Sequence, residues 1–552
     1  MTDVLPTTMN PLWVKGFRER CRPKHLLSWG TIWLTLATFV FLVTYITMVE
    51  REVSTKAEAA KAALPGILVI QAVILMLFGT GAVASGISQE RDEDLVSYIR
   101  MTPMSPFQKV IGYLFGLPAR EYILFASTLP LVVIIVAISG FSIITLLHFY
   151  LVFFTSVIVY HMTALVVGMV SPKPRLASLM SMGLVVVLYF ALPNLSRVGI
   201  TFFEFLTIRP TFFGLIQQEL PAALRARAES SGIDTFRPVP FFQTSIQPTV
   251  YTLMVQGFLI ASMFSIVHRK WRDESCLLLS KPSGLAVFTG ITLFTLASFW
   301  AVVAQDSAYS RLFEPLGIEG PVERAPVSFF FLMMTCLLII GVSYVATVCS
   351  ITPTRDQSRN GIRLAQKLGR NRLPWNSDAA SSLPAAVVML LVVLTSGIAV
   401  VNLAISKGDY MTSGPQVPQT IAFVLLIFAV GVFIQGIAES TSIRVFGVTV
   451  FLVWMIPFFA MVIMVAAFEA FEAGLYLGQP FPPVSLGYSI AWMLESTSAP
   501  AGFDQEVRFM PPNDEITSHP GRIVLAGTVG YALAAVLVQA YRAHKRTALW
   551  IK

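Results

Sequence analysis

Charge is what this sequence has least of. Of its 552 residues only 13% are Asp, Glu, Lys or Arg, where a soluble domain carries roughly 25%. The shortfall excludes an ordinary water-facing surface over most of the chain. Cysteine is scarce too: Cys21, Cys276, Cys336 and Cys349 are the four, and their spacing matches no metal site. No Gly-x-x-x-x-Gly-Lys-Ser/Thr occurs, so the chain lacks a phosphate-cradling loop. Neither Ser-His-Asp, His-Glu-x-x-His nor a paired-carboxylate signature is present, which leaves a membrane-embedded enzyme without support. The net charge of +8 comes with no basic, aromatic-interleaved face, which argues against nucleic acid. Ionisable side chains are also nearly absent from the apolar runs. Proton- and ion-coupled carriers place such groups at mid-membrane, so a proton-driven carrier is disfavoured.

What is present in quantity is apolar sequence, 55% of the chain. A helix needs about 20 apolar residues to cross the hydrocarbon core. Runs of that kind fall near 25–48, 64–87, 122–139, 143–170, 177–194, 249–267, 284–304, 326–350, 383–404, 418–437, 445–467 and 522–541. The first is too long for a cleaved signal and reads as a retained helix. With the N-terminus inside, the inside segments carry 26 of the 39 Lys and Arg, the bias that retains loops in the cytoplasm. An even number of spans then puts the basic tail, Arg542 to Lys552, inside as well. The expectation is an all-α integral membrane protein of about twelve transmembrane helices in a cell (inner, cytoplasmic) membrane, both termini cytoplasmic.

Loop lengths repeat. The long outside segments are 195–248 and 468–521, and the long inside segments 88–121 and 351–382. The same loops lengthen six helices apart, so an internal repeat is expected, with halves 1–275 and 276–552. Ile87 to Asp92 would lie opposite Ile351 to Asp356. Both halves start inside, so the two six-helix repeats would be parallel.

Two segments outside the spans carry more specific signals. Asn10-Pro11-Leu12-Trp13-Val14-Lys15-Gly16-Phe17-Arg18-Glu19-Arg20 alternates apolar and basic residues, as an interfacial helix does. The loop from Ser88 opens with Glu90-Arg91-Asp92-Glu93-Asp94, continues through the apolar-spaced Leu95 to Arg100, and breaks at Thr102-Pro103. Ser105 is placed to cap a new helix with Pro106 at its first position. The product is a short exposed helix between two elbows, suited to contact with a cytoplasmic partner.

This loop resembles the one after the second helix of the type-2 ATP-binding-cassette permease family, the membrane subunits of ATP-driven exporters. The family pattern is roughly Glu-Arg, an acidic pair, Leu-Leu-Leu-Thr-Pro-Leu-Ser and later Gly-Lys. Glu90-Arg91, Thr102-Pro103-Met104-Ser105 and Gly112 match; Tyr113 stands where Lys is usual. The Asn10-Pro11 entry, the long segment before the sixth helix, and the basic runs Arg269 to Arg272 and Arg542 to Arg546 are also family-like. The resemblance covers most of 10–275. It implies a permease whose Glu90, Arg91, Arg100, Thr102, Pro103, Met104, Ser105 and Pro106 dock separate ATPase subunits. ATP and Mg would then be bound by the partner, with no cofactor and no enzymatic activity in this chain.

The second half departs from that pattern. Its inside loop lacks Thr-Pro-x-Ser and is basic, with Arg355, Arg359, Arg363, Lys367, Arg370 and Arg372. Retention together with contact to lipid headgroups and ATPase docking are both open readings. A weaker docking helix is expected at Trp375, Ser377 and Asp378, capped by Ser377 or Asp378. His148 and His161 are expected to be packing residues, and Gln71, Gln256, Asn402 and Gln435 interhelical hydrogen-bond partners. The rivals to an exporter subunit are a secondary carrier, whose longest inside loop would normally fall at 268–283, and a non-transporting anchor or signalling protein.

Overall fold

The computed structural model describes residues 10–50, 55–171, 173–191, 201–222, 225, 238–304, 326–369, 373–406, 417–438, 455–468, 474, 477–478 and 520–551. Contacts divide the chain into two compact units, one holding most residues up to Glu274 and the other those from Ser275 onward.

The first unit begins with α1 (Pro11–Arg20), which Asn10 caps by accepting from the Leu12 N–H. Then come α2 (Pro23–Glu50), α3 (Lys56–Asp92), α4 (Leu95–Met101), α5 (Pro106–Gly116), α6 (Ala119–Ser139), α7 (Ile143–Val170), α8 (Pro174–Phe190) and α9 (Pro248–Arg272). The segment before α9 forms short turns, among them Thr201–Leu206 and Gln217–Glu219.

α3 is the axis of this unit. A capping box of Thr55 and Glu58 starts it, and small residues let neighbours approach: Ala59, Ala60, Ala62, Ala63 and Gly79 are buried along its length. α2 does the opposite. Only Ala37 is buried there, while Leu27, Ile32 and Phe39 are exposed, the pattern of a helix that presents its apolar face to lipid. A π turn, Val73–Gly79, widens α3 midway. His161 of α7 donates from Nε2 to the Leu75 carbonyl there at 3.0 Å, and its Nδ1 lies 3.4 Å from the Tyr122 hydroxyl. A π turn leaves carbonyls without their usual partners, and the imidazole supplies one. Gln71 donates to Thr128 at 2.9 Å and accepts from Tyr150 at 2.8 Å; Gln256 donates to Ser156 at 2.7 Å; His148 meets Thr249 at 2.7 Å. α6 and α7 are separated by a turn in which Gly140 takes the left-handed conformation, a frequent helix stop.

The second unit contains α10 (Lys281–Ala304), α11 (Pro326–Ile351), α12 (Arg355–Lys367), α13 (Leu383–Ser406), α14 (Val417–Ala438), α15 (Ile456–Phe468) and α16 (Pro520–Ile551). Tyr344 of α11 packs between Phe288 of α10 and Phe428 of α14, with ring centroids 6.0 and 6.2 Å apart. Gln435 is fully buried, and neither polar atom of its side chain has a hydrogen-bond partner among the described residues. The Asn402 side chain lies outside the described ones.

Where they are described, the twelve apolar runs fall on helices, the fifth as far as Phe190 and the eleventh from Ile456. Six helices are long and apolar enough to cross a bilayer among the described residues: α2, α3, α6, α7, α9 and the Lys281–Trp300 part of α10. Residues Cys336–Ile351 pass the same test only together with α12, across a bend of 49°. The chain is therefore a helical, membrane-embedded protein. The second long segment, 468–521, lies almost wholly outside the described residues, as do Arg370 and Arg372.

One expected element is replaced. No helix starts at Ser377 or Asp378; residues 375–380 are turns, and the helix of that loop is α12, capped by Thr354 and Gln357. The reason is local. Pro353 cannot continue α11, and Thr354-x-x-Gln357 just after it is a capping box. After Ser377, in contrast, only five residues precede the start of α13 at Leu383, which leaves no length for a separate helix.

Candidate docking elbow of the first unit

α3 does not stop where its apolar sequence stops. It continues one turn, so that Glu90, Arg91 and Asp92 stand on a helix instead of in a loop. Asp94, in the left-handed conformation, turns the chain into α4. Thr102 is extended, as the residue before a proline prefers, and ends α4. Ser105 then caps α5 in a box with Gln108, with Pro106 at the first position. This is the elbow that the sequence predicts.

Its polar residues point inward. Glu90 is 8% exposed and accepts from Lys15 Nζ of α1 at 2.7 Å and from the Tyr113 hydroxyl of α5. Tyr113 in turn stacks on Trp271 of α9, centroids 5.1 Å apart. Burial, reinforced by the Glu90 carboxylate, raises the Tyr113 pKa far above its ordinary value, so the phenol stays a proton donor. Glu90 thus meets a neutral donor from α5 and a cation from α1.

Arg91 donates to the Met169 carbonyl at 2.7 Å and to that of Ser171, at the C-terminal end of α7. Those carbonyls lack intrahelical partners, and a cation there also meets the negative end of the helix dipole. Lys109, only 3% exposed, reaches back from α5 to the carbonyls of Arg100 and Thr102 at 3.1 and 3.4 Å. Burial, with Arg100 adding to it, lowers its pKa. Arg100 pairs with Glu274, and the Thr102 hydroxyl donates to the Ile99 carbonyl at 2.6 Å.

Close backbone contact completes the assembly. A Cβ at Gly16 of α1 would lie 2.5 Å from the Gly116 carbonyl oxygen, and one at Gly112 2.6 Å from Leu12 Cβ. α1 and α5 thus touch through glycines. The Asn10 amide donates to the Gln108 carbonyl at 2.5 Å.

Of the residues expected to dock a partner, Glu90, Arg91, Arg100 and Thr102 thus use their polar groups within the chain. Pro103 and Ser105 are exposed, and Met104 and Pro106 half-buried. The side chains that stand out are ones the loop motif does not name: Tyr98 at 67% exposure, Met101 at 77% and Phe107 at 56%. Their signal lies in the spacing. Val96 and Ile99 are buried, so Tyr98 and Met101, three apart, fall on the other face of α4.

In the second unit Trp375, Ser377 and Asp378 sit in turns beside the start of α10. Asp378 accepts from the Leu277 N–H at 3.3 Å, the Ser377 carbonyl accepts from Lys281, and Trp375 is exposed. No metal-holding group of His, Cys, Asp and Glu exists among the described residues. The sequence matches no protein-family model, and comparison with curated proteins and with solved structures finds no match to it.

Proposed function

We propose that this chain is the permease subunit of an ATP-binding-cassette exporter, with about twelve spans in two six-helix repeats and moved by separate ATPase subunits. One observation carries the reading. An exposed apolar face, Tyr98, Met101 and Phe107, stands on the short helices α4 and α5, which Lys109 ties to each other and which Glu90, through Tyr113, ties to the end of α3, itself held to α1 by Lys15 and to α7 by Arg91. A face held in that way transmits a push to the spans, where a flexible loop would absorb it. In this reading Pro103, Met104, Ser105 and Pro106 shape the surface and the buried polar residues stiffen it.

The test is affinity purification of the full chain from its native membrane, with co-purifying chains identified by mass spectrometry. An ATPase bearing a nucleotide-binding loop is expected. Met101→Asp should reduce its recovery at least tenfold at equal membrane level, because desolvating an unpaired charge costs a few kcal/mol. Gln366→Asp, in the loop without the motif, should not. The chain freed of partners should turn over no ATP. Full recovery with Met101→Asp would refute the docking face, and recovery of no ATPase would refute the exporter.

A further inference from the structure

The candidate is α12, and its geometry stands independently of the exporter reading. Arg355, Arg359, Arg363 and Lys367 are spaced four apart, so each follows the last by about 40° around the helix. The four make one gently winding stripe. All are exposed, and no ion pair engages any of them among the described residues. Asp356 is the one acidic side chain of α12 and is exposed beside the stripe. Behind it the helix is packed: Ser358 and Ala365 are buried, and Gly361 abuts Ala379. Next to the stripe, Leu364 and Leu368 are 59% and 62% exposed.

Position adds a second observation. Only residues 352–354 separate α12 from α11, and the chain bends by 49° between them. α12 therefore begins within a few residues of the end of the apolar helix α11 and turns away from its axis. A helix there meets the headgroup layer. Cations flanked by exposed leucines fit that layer in both its parts, phosphate above and acyl chain below. An acidic protein surface would answer the arginines but leave the leucines in water.

We infer that α12 binds anionic phospholipid, with Arg355, Arg359, Arg363 and Lys367 on lipid phosphates and Leu364 and Leu368 in the acyl boundary. Each basic residue near an anionic leaflet favours the docked position by roughly fivefold.

The test uses the full chain with native cysteines replaced and a fluorophore on L364C. It is reconstituted in nanodiscs of phosphatidylcholine, alone or with phosphatidylglycerol, each doped with a headgroup-spin-labelled lipid. Quenching should be about threefold stronger with the anionic lipid. It should fall to the neutral-lipid level in R355Q/R359Q/R363Q/K367Q, and also at roughly 0.5 M salt, where screening is nearly complete. Equal quenching in the two compositions overturns the proposal. So does salt-insensitive quenching, which needs no variant to fold. A fourfold variant that keeps its quenching but loses a co-purifying chain makes the stripe a protein-docking face and overturns it as well.

Discussion

The C-terminal ends of α3 and α11 meet the same problem, an apolar helix running out into charged sequence, and they solve it differently. α3 stays helical through Glu90, Arg91 and Asp92 and spends the first two of those charges inside the unit, on Lys15, on Tyr113 and on the carbonyls that end α7. α11 stops at Ile351 because Pro353 follows, and the charges of α12 are left facing outward. Ile87 to Asp92 and Ile351 to Asp356, each opening with Ile and a hydroxyl residue and closing with Arg-Asp, thus differ in structure. One proline decides whether a charged cluster becomes internal scaffolding or an open surface.

The largest effect expected from breaking this contrast comes from Gly16→Val. A Cβ there meets backbone, not a movable side chain, so α1 must lift off α5. Overpacking of this kind costs about 3 kcal/mol, and amide hydrogen exchange across α1 should speed up by roughly a hundredfold. Unchanged exchange would mean that α1 is not fastened by this contact. A smaller loss is expected from Glu90→Ala, which strands the Tyr113 hydroxyl and unpairs Lys15. About 2 kcal/mol should appear as faster exchange in both α1 and α5, with α12 as the unaffected reference. Confinement of the change to α3 would show that Glu90 does not bridge the helices. Least of all should R359Q alter folding. Its side chain is exposed and unpaired among the described residues, so thermal unfolding in detergent should shift by less than about 0.5 kcal/mol. A large destabilisation there would place Arg359 in the same structural class as Arg91 and end the contrast.

Much of this was legible in the sequence, and the exceptions have physical reasons. The helices follow from apolar runs, because a span must satisfy its backbone within itself. The Ser105-Pro106 start and the Asn10 cap are local chemistry, readable within a few residues. The partners of Glu90 and Arg91 are not, since Lys15 and Met169 are 75 and 78 residues away, and nothing within the loop distinguishes a buried carboxylate from a solvated one. Tyr98 and Met101 were hidden because their exposure depends on which face of α4 is covered. The start of α12 was readable as Thr354-x-x-Gln357 behind a proline, and the richer turn chemistry at Ser377 and Asp378 drew the expectation away from it.

The glycine contact between α1 and α5 has a consequence for the repertoire of sequences this fold accepts. Positions 16 and 112 each exclude even a methyl group at the distances found, 2.5 and 2.6 Å. Exposed neighbours such as Phe17 and Arg18 meet no such restriction. In a randomised library sorted for folded protein in the membrane, those two sites should return almost only glycine amid freely varying surroundings. The elbow would then carry its own barcode: a pair of invariant small residues almost a hundred positions apart, identifying a shared helix crossing where the intervening sequence says nothing of it.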